Sequence, residues 1–315
     1  LIGDGSNATG QNVEGCEGLS YDSCPVDSSG CRSELAEVAA CLFGGEGTDV
    51  VLPPVDVITV EELEQSFLDD FEAGDDEFAS YREGWAWAYE TLGLASDGAL
   101  EAENQAERRA ENIAASYDPS TKRITLVTLE EATDEAYDDS IFIHELVHAL
   151  QDHEHNLNRI IDTIAPTSDS ILQWRSMVEG EAELHQVRAY AGFVGVDPRD
   201  VDLRGSFVEA RYDLESWMLE EGELILDTWV VVPYGYGAIW ALDLWRDEGF
   251  EGLRDAIGDP DDTAFELLTS VWGTASDGAL WEPEPSDDWD DFDLYDYDVF
   301  GAWGVYLLSL RRDED

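Results

Sequence analysis

Positive charge is what this 315-residue chain has least of: 16 Lys and Arg stand against 73 Asp and Glu, a formal net charge of −57. Lys122 is the only lysine. Nucleic-acid phosphates are held by clustered basic side chains, and anionic membrane surfaces attract polybasic segments. Both partners are therefore excluded as ligands of a basic face. The sequence also lacks a run of 18 or more apolar residues suited to crossing a bilayer. Nor does it contain a D-x-[DN]-x-[DN]-G loop with its downstream Glu, so the 73 acids do not form an EF-hand calcium site.

Core-forming material is plentiful. The chain is 43% hydrophobic and 11% aromatic, with 11 Trp, which separates it from a disordered acidic tail. Mutual repulsion among so many carboxylates penalises the compact state, and salt relieves that penalty, because the Debye length shrinks from about 8 Å at physiological ionic strength to about 3 Å at 1 M. A saline habitat is the expectation.

All four cysteines, Cys16, Cys24, Cys31 and Cys41, fall near the N-terminus in a Gly/Ser/Asp-rich stretch. Their uneven spacing lacks the paired C-x-x-C knuckles of structural zinc sites, so two disulfides are expected, in a connectivity that the sequence leaves open. Disulfides imply an exported protein, secreted, periplasmic or held at the cell surface. The polar opening over residues 3–15 suggests a tether, which a lipid anchor upstream of the sequence would suit. The expected organisation is a tether and Cys-stapled segment over residues 1–48, followed by one domain over 49–315.

The pattern is that of an α+β, mostly helical protein. Val50 to Val60 is β-branched and predicts a strand, and Thr59 is placed to cap a helix over Glu61 to Ala73. Further helices are expected over Asp75 to Leu94 and Ala99 to Ala115. Turn-forming residues at 117–123 precede the alternating Ile124 to Leu129, an expected edge strand. A helix apolar on nearly every face spans Asp139 to Asp152, and a second long helix spans Ser170 to Gly195. Phe207 to Leu226, Ala238 to Gly249 and Phe300 to Arg311 complete the expected helices, with an acidic loop over Glu282 to Asp298.

Embedded in the all-apolar helix is His144-Glu145-Leu146-Val147-His148, an H-E-x-x-H motif. Residues i and i+4 share a helix face, so both imidazoles can reach one Zn²⁺ at about 2.0–2.1 Å. Glu145 flanks that face, where it can act on a water without binding the metal. A catalytic zinc needs a third protein ligand and an open position. His153 and His155 lie in a polar run at the helix end, and His185 lies in the next helix. The longer metzincin spacing is absent, so a glutamate from another helix is expected instead.

The pairing of His144-Glu145-x-x-His148 with a later helix reading Glu179-Gly180-Glu181-Ala182-Glu183 resembles the gluzincin metallopeptidases of the thermolysin-like clan. The resemblance implies a zincin-like fold, with the His-bearing helix, a second glutamate helix and a small edge-strand sheet. It also implies one Zn²⁺ per chain held by His144, His148 and Glu179, with Glu183 supporting a ligating histidine. Glu181 is expected to point away from the site, and Gly180 to mark close packing. Val51-Leu52-Pro53, Tyr117-Asp118-Pro119, His148-Ala149-Leu150-Gln151-Asp152 and Pro233-Tyr234-Gly235-Tyr236-Gly237 are together similar to a group of exported bacterial proteins, predicted peptidases and often lipoproteins. That similarity spans roughly residues 50 to 311. It departs from the group at His153-Glu154-His155.

The expected function is a secreted zinc endopeptidase acting on a peptide or protein, with Glu145 as general base. Tyr234, Tyr236, Tyr190 and His185 are candidate oxyanion donors, and Tyr234 is preferred because Pro233 and Gly235 would hold it in a constrained turn. The alternative is a non-catalytic exported binding or surface protein on the same scaffold. The charge pattern generates the first prediction. The melting temperature is expected to rise between dilute buffer and molar NaCl, and a melt that does not rise contradicts the reading of the acidic surface as a salt-adapted one.

Overall fold

The computed structural model of the protein describes residues 23–26, 28–44, 48–73, 86, 88–128, 134–164, 167–220, 222–260, 303–304 and 306–307. The tether, Cys16, most of the helix expected over 75–94 and the acidic loop over 282–298 lie outside these. The described residues are mostly helical, with a small three-stranded sheet. In chain order the principal elements are α1 (Ser29–Gly44), β1 (Val55–Thr59), α2 (Val60–Ala73), α3 (Ala102–Glu111), β2 (Ala115–Asp118), β3 (Arg123–Thr128), α4 (Glu135–His155), α5 (Leu157–Ile161), α6 (Ser168–Phe193), α7 (Leu203–Glu220), α8 (Leu224–Val230) and α9 (Ala238–Gly258).

Local chemistry sets several boundaries. Thr59 and Glu62 form a reciprocal capping box at the start of α2. The Thr59 hydroxyl accepts the Glu62 N–H at 3.2 Å, and the Glu62 carboxylate accepts the Thr59 N–H at 2.9 Å. Asp134 caps α4 through the Ala136 N–H, and Asn156 ends it in the left-handed conformation (φ 57°) while capping α5. The Asp118 carboxylate accepts the Ser120 N–H in the turn that joins β2 to β3.

The sheet order is β1-β3-β2, with β1 parallel and β2 antiparallel to β3. The strand expected at the edge, Ile124 to Leu129, is therefore central over Arg123–Thr128, and Ala115–Asp118 is an edge strand, packed against α4. Alternation of apolar residues reports which face is buried, and it is silent on which strand lies beside which. The Cys-rich segment also differs from expectation, because Ser29–Gly44 folds as a helix. Leu35, Leu42 and Phe43 join Phe142, Ile143, Leu146 and Leu150 of α4 in one buried cluster. A disulfide joins Cys24 to Cys31, and Cys41 is also disulfide-bonded. The Cys24 N–H donates to the buried Asp139 carboxylate at 3.0 Å, and burial pushes that carboxyl up to about 7.

The expected Phe207 to Leu226 helix is two helices, α7 and α8. From Leu224 the chain then stays helical to Gly258, passing through the π-helical stretch Val231–Gly237, where a constrained turn was expected. This 35-residue stretch is apolar enough by composition to cross a membrane, but 67% of its most apolar window is buried inside the fold, so it serves as a core helix. Gly249, at φ 75°, kinks its far end.

Two glycines let the π-helical stretch touch α6. A Cβ on Gly180 would lie 2.3 Å from the carbonyl carbon and oxygen of Gly237, and a Cβ on Gly237 would lie 2.2 Å from the Ser176 carbonyl oxygen. The close packing expected at Gly180 is thus a backbone-to-backbone crossing. Alanine improves helix propensity by about 1 kcal/mol, yet here it forces two backbones apart, at a cost of about 3 kcal/mol. Gly180→Ala is therefore expected to lower the urea midpoint and the melting temperature, and a variant as stable as the parent contradicts the crossing.

Candidate functional site

Helices α4 and α6 pack along each other and bring the two motifs together. His144 and His148, one turn apart, stand with rings 4.7 Å apart and nearly perpendicular. Their Nε2 atoms converge on one oxygen of Glu179: His144 Nε2 is 3.1 Å and His148 Nε2 3.2 Å from Oε2. His144 and His148 are buried, and the Glu179 side chain is 13% exposed.

The three side chains offer ligand atoms that all lie within 4.8 Å of one another and could hold a metal ion. Ligands 2.0–2.1 Å from one tetrahedral ion sit about 3.3 Å apart, so both His-to-Glu spacings suit such an ion. The donor set of two imidazoles and one carboxylate is also that of catalytic zinc sites with an open position.

The surroundings fix these ligands. Gln151 Oε1 lies 2.9 Å from His148 Nδ1, a spacing that suits a proton on Nδ1 with Nε2 turned to Glu179. Gln151 Nε2 in turn donates to the Val178 carbonyl at 3.0 Å and to Glu181 at 2.9 Å. Glu181, expected to point away, is fully buried in this network, and burial pushes its carboxyl up to about 7. His144 Nδ1 has no hydrogen-bond partner among the described residues, and Glu183 Oε2 stands 3.9 Å from it. Glu183, expected to support a ligating histidine, thus stands on the His144 side at ion-pair rather than hydrogen-bond distance.

Electrostatics separate the carboxylates. Burial would raise Glu179, but the neighbouring His148 and hydrogen bonds to both imidazoles hold it well below the usual carboxylate range. Burial would lower His148, and the Glu179 charge outweighs it, pushing the imidazole up to about 9. Glu145 is raised by burial, against the opposing charges of His144 and His148 and a hydrogen bond from the Tyr117 backbone.

That last contact ties the edge strand to the motif. In the β2–β3 pairing, Val127 N–H donates to Ala114 O, and alternate residues pair. The N–H groups of Ala115 and Tyr117 therefore point away from β3, where Tyr117 meets Glu145. The Tyr117 hydroxyl donates to Asp152 at 2.6 Å, and Asp152 also binds Lys122 and the Leu157 N–H. The chain's single lysine thus helps pin the hairpin to the end of the motif helix.

Tyr234 stacks on His144, with rings 5.9 Å apart and 18° from parallel, and its hydroxyl hydrogen-bonds Glu179. Burial and the Glu179 charge raise its hydroxyl well above the ordinary tyrosine value. The other candidates lie elsewhere. His185 is buried in the core, stacked on Phe250 at 5.4 Å, Tyr190 meets Tyr137 edge-on, and Tyr236 bonds Glu215. His153 is exposed and His155 packs beside Gly258. Gln151 and Glu181 were missed by sequence reasoning. Gln151 carried a signal, being a polar residue three positions after His148 in an otherwise apolar helix.

No protein-family model matches the chain, and no curated protein or solved structure is a match for it. The network itself generates a prediction. Gln151→Leu strips partners from both His148 Nδ1 and Glu181, and is expected to weaken metal binding about 10- to 100-fold in competition with a chelator. An unchanged affinity contradicts the role assigned to Gln151.

Proposed function

We propose that the protein is an exported zinc metallopeptidase of gluzincin type. The observation that carries this reading is the convergence of His144 Nε2 and His148 Nε2, from one helix, on a single oxygen of Glu179, from another, beside the buried Glu145. A zinc ion held by these three side chains would supply Lewis-acid polarisation of a substrate carbonyl and acidify a water.

The chain's own groups do the rest. Glu145, with its proton affinity raised by burial, takes the proton of the attacking water on a carboxylate oxygen and passes it to the leaving amine nitrogen. The Tyr117 N–H holds that carboxylate in place. An extended peptide can add as a further strand along the outer edge at Ala115, whose N–H points the same way as that of Tyr117. Tyr234, whose firmly held proton bonds Glu179 in the resting site, turns its hydroxyl from Glu179 to the negative charge that develops on the carbonyl oxygen. The motif helix, the glutamate helix and the adjoining sheet edge suit a zincin-like arrangement, and the disulfides suit export.

The protein is expected to carry close to one zinc per chain, lost in His148→Ala. Glu145→Gln is expected to keep the metal and to lower hydrolysis of a peptide library about 10²- to 10⁴-fold. Metal-loaded protein that cleaves no member of a broad library overturns the peptidase reading and favours a non-catalytic exported binding protein.

A further inference from the structure

Arg175 lies one helical turn before Glu179 on α6. Its side chain is 38% exposed, against 13% at Glu179 and 23% at Glu183 one turn after it. The guanidinium has one carboxylate contact, Nε to Glu179 Oε1 at 3.6 Å, and no hydrogen bond among the described residues.

Three other arginines are gripped by carboxylates. Arg108 makes three hydrogen bonds to Asp227, Arg123 is paired in a fork with Asp56, and Arg204 grips Asp243. Arg175 instead has a second guanidinium for company. Arg109, stacked over Phe67 at 4.9 Å, feels the Arg175 charge and, against it, that of Asp70. Arg175 thus keeps a partly exposed guanidinium beside Glu179 within an overwhelmingly negative molecule.

We infer that Arg175 receives a carboxylate of the substrate, so that the site selects peptides with a carboxylate next to the bond presented to His144, His148 and Glu179. The inference rests on the peptidase reading. Chemistry and reach both support it. A guanidinium matches a carboxylate bidentately. Arg175 Nε stands 3.6 Å from Glu179 Oε1, and consecutive residues of a peptide are about 3.8 Å apart, so a carboxylate on this guanidinium belongs to a residue close in sequence to the carbonyl presented to the site. The overall negative field opposes an anionic ligand at long range, but at molar salt that field is screened beyond about 3 Å and the contact pair survives. The carboxylate can be an acidic side chain or the chain's own C-terminus.

The test is calorimetric binding, in molar NaCl, to zinc-loaded protein carrying Glu145→Gln so that nothing is cleaved. Four peptides of one sequence are compared, with an acidic or a neutral residue at the second-to-last position and with a free or an amidated C-terminus. A free carboxylate of one kind is expected to tighten binding roughly ten- to hundredfold. Adding Arg175→Gln is expected to bring that peptide down to the level of the neutral amide, and Arg175→Lys to restore part of the difference. Preference for the free C-terminus marks a trimming enzyme, and preference for the acidic side chain marks internal cleavage. Equal binding of all four peptides overturns the inference and leaves the peptidase reading standing, as does a uniform loss of binding in Arg175→Gln. Failure of every peptide to bind overturns both.

Discussion

The closeness of two backbones governs this structure. Gly180 on the glutamate helix and Gly237 at the end of the π-helical stretch leave no room for a Cβ on either side. Any side chain there would push the Ser168–Phe193 helix away from Val231–Gly237. Tyr234, which stacks on His144 and bonds Glu179, would then move away from both. Each glycine costs helix propensity, and the contact returns it as close packing between two buried segments. The π-helical geometry around Pro233 belongs to the same solution, since it carries a proline and two glycines through a buried helix without ending it.

A second constraint is the burial of charge. Glu145, Glu181, His144 and His148 are all buried, at a desolvation cost that only mutual pairing and hydrogen bonding offset. The pairing is organised in layers. His144 and His148 share Glu179, His148 leans on Gln151, and Gln151 leans on Glu181 and the Val178 carbonyl. The edge strand enters through Tyr117, whose backbone holds Glu145 and whose hydroxyl reaches Asp152. Such an arrangement holds ligands in register more than it stabilises the fold.

The parts legible in the sequence were those with a short-range signature. His144, Glu145 and His148 were visible through helix spacing, Gly180 through its misfit in a buried helix, and the Thr59 cap through its place before the helix expected over Glu61 to Ala73. The resemblance pointed to Glu179, and the structure brings it to the histidines. Non-local features were illegible. Strand order depends on tertiary contacts, so Arg123–Thr128 gave no sign of being central. The helix over Ser29–Gly44 was obscured by its small residues and glycine-rich flanks, although it packs squarely on the motif helix. Glu181 was dismissed because helical spacing sets it apart from Glu179, whereas its partner, Gln151, comes from another helix.

The claim on which the rest turns is that two imidazoles of one helix and one carboxylate of another bind a single metal ion. X-ray absorption at the zinc edge of the loaded protein tests this directly. The account predicts a first shell of nitrogen and oxygen at about 2.0–2.1 Å, with the outer-shell scattering of two imidazoles reduced to one in His144→Ala. A shell of oxygen alone, or one unchanged by loss of His144, would contradict it.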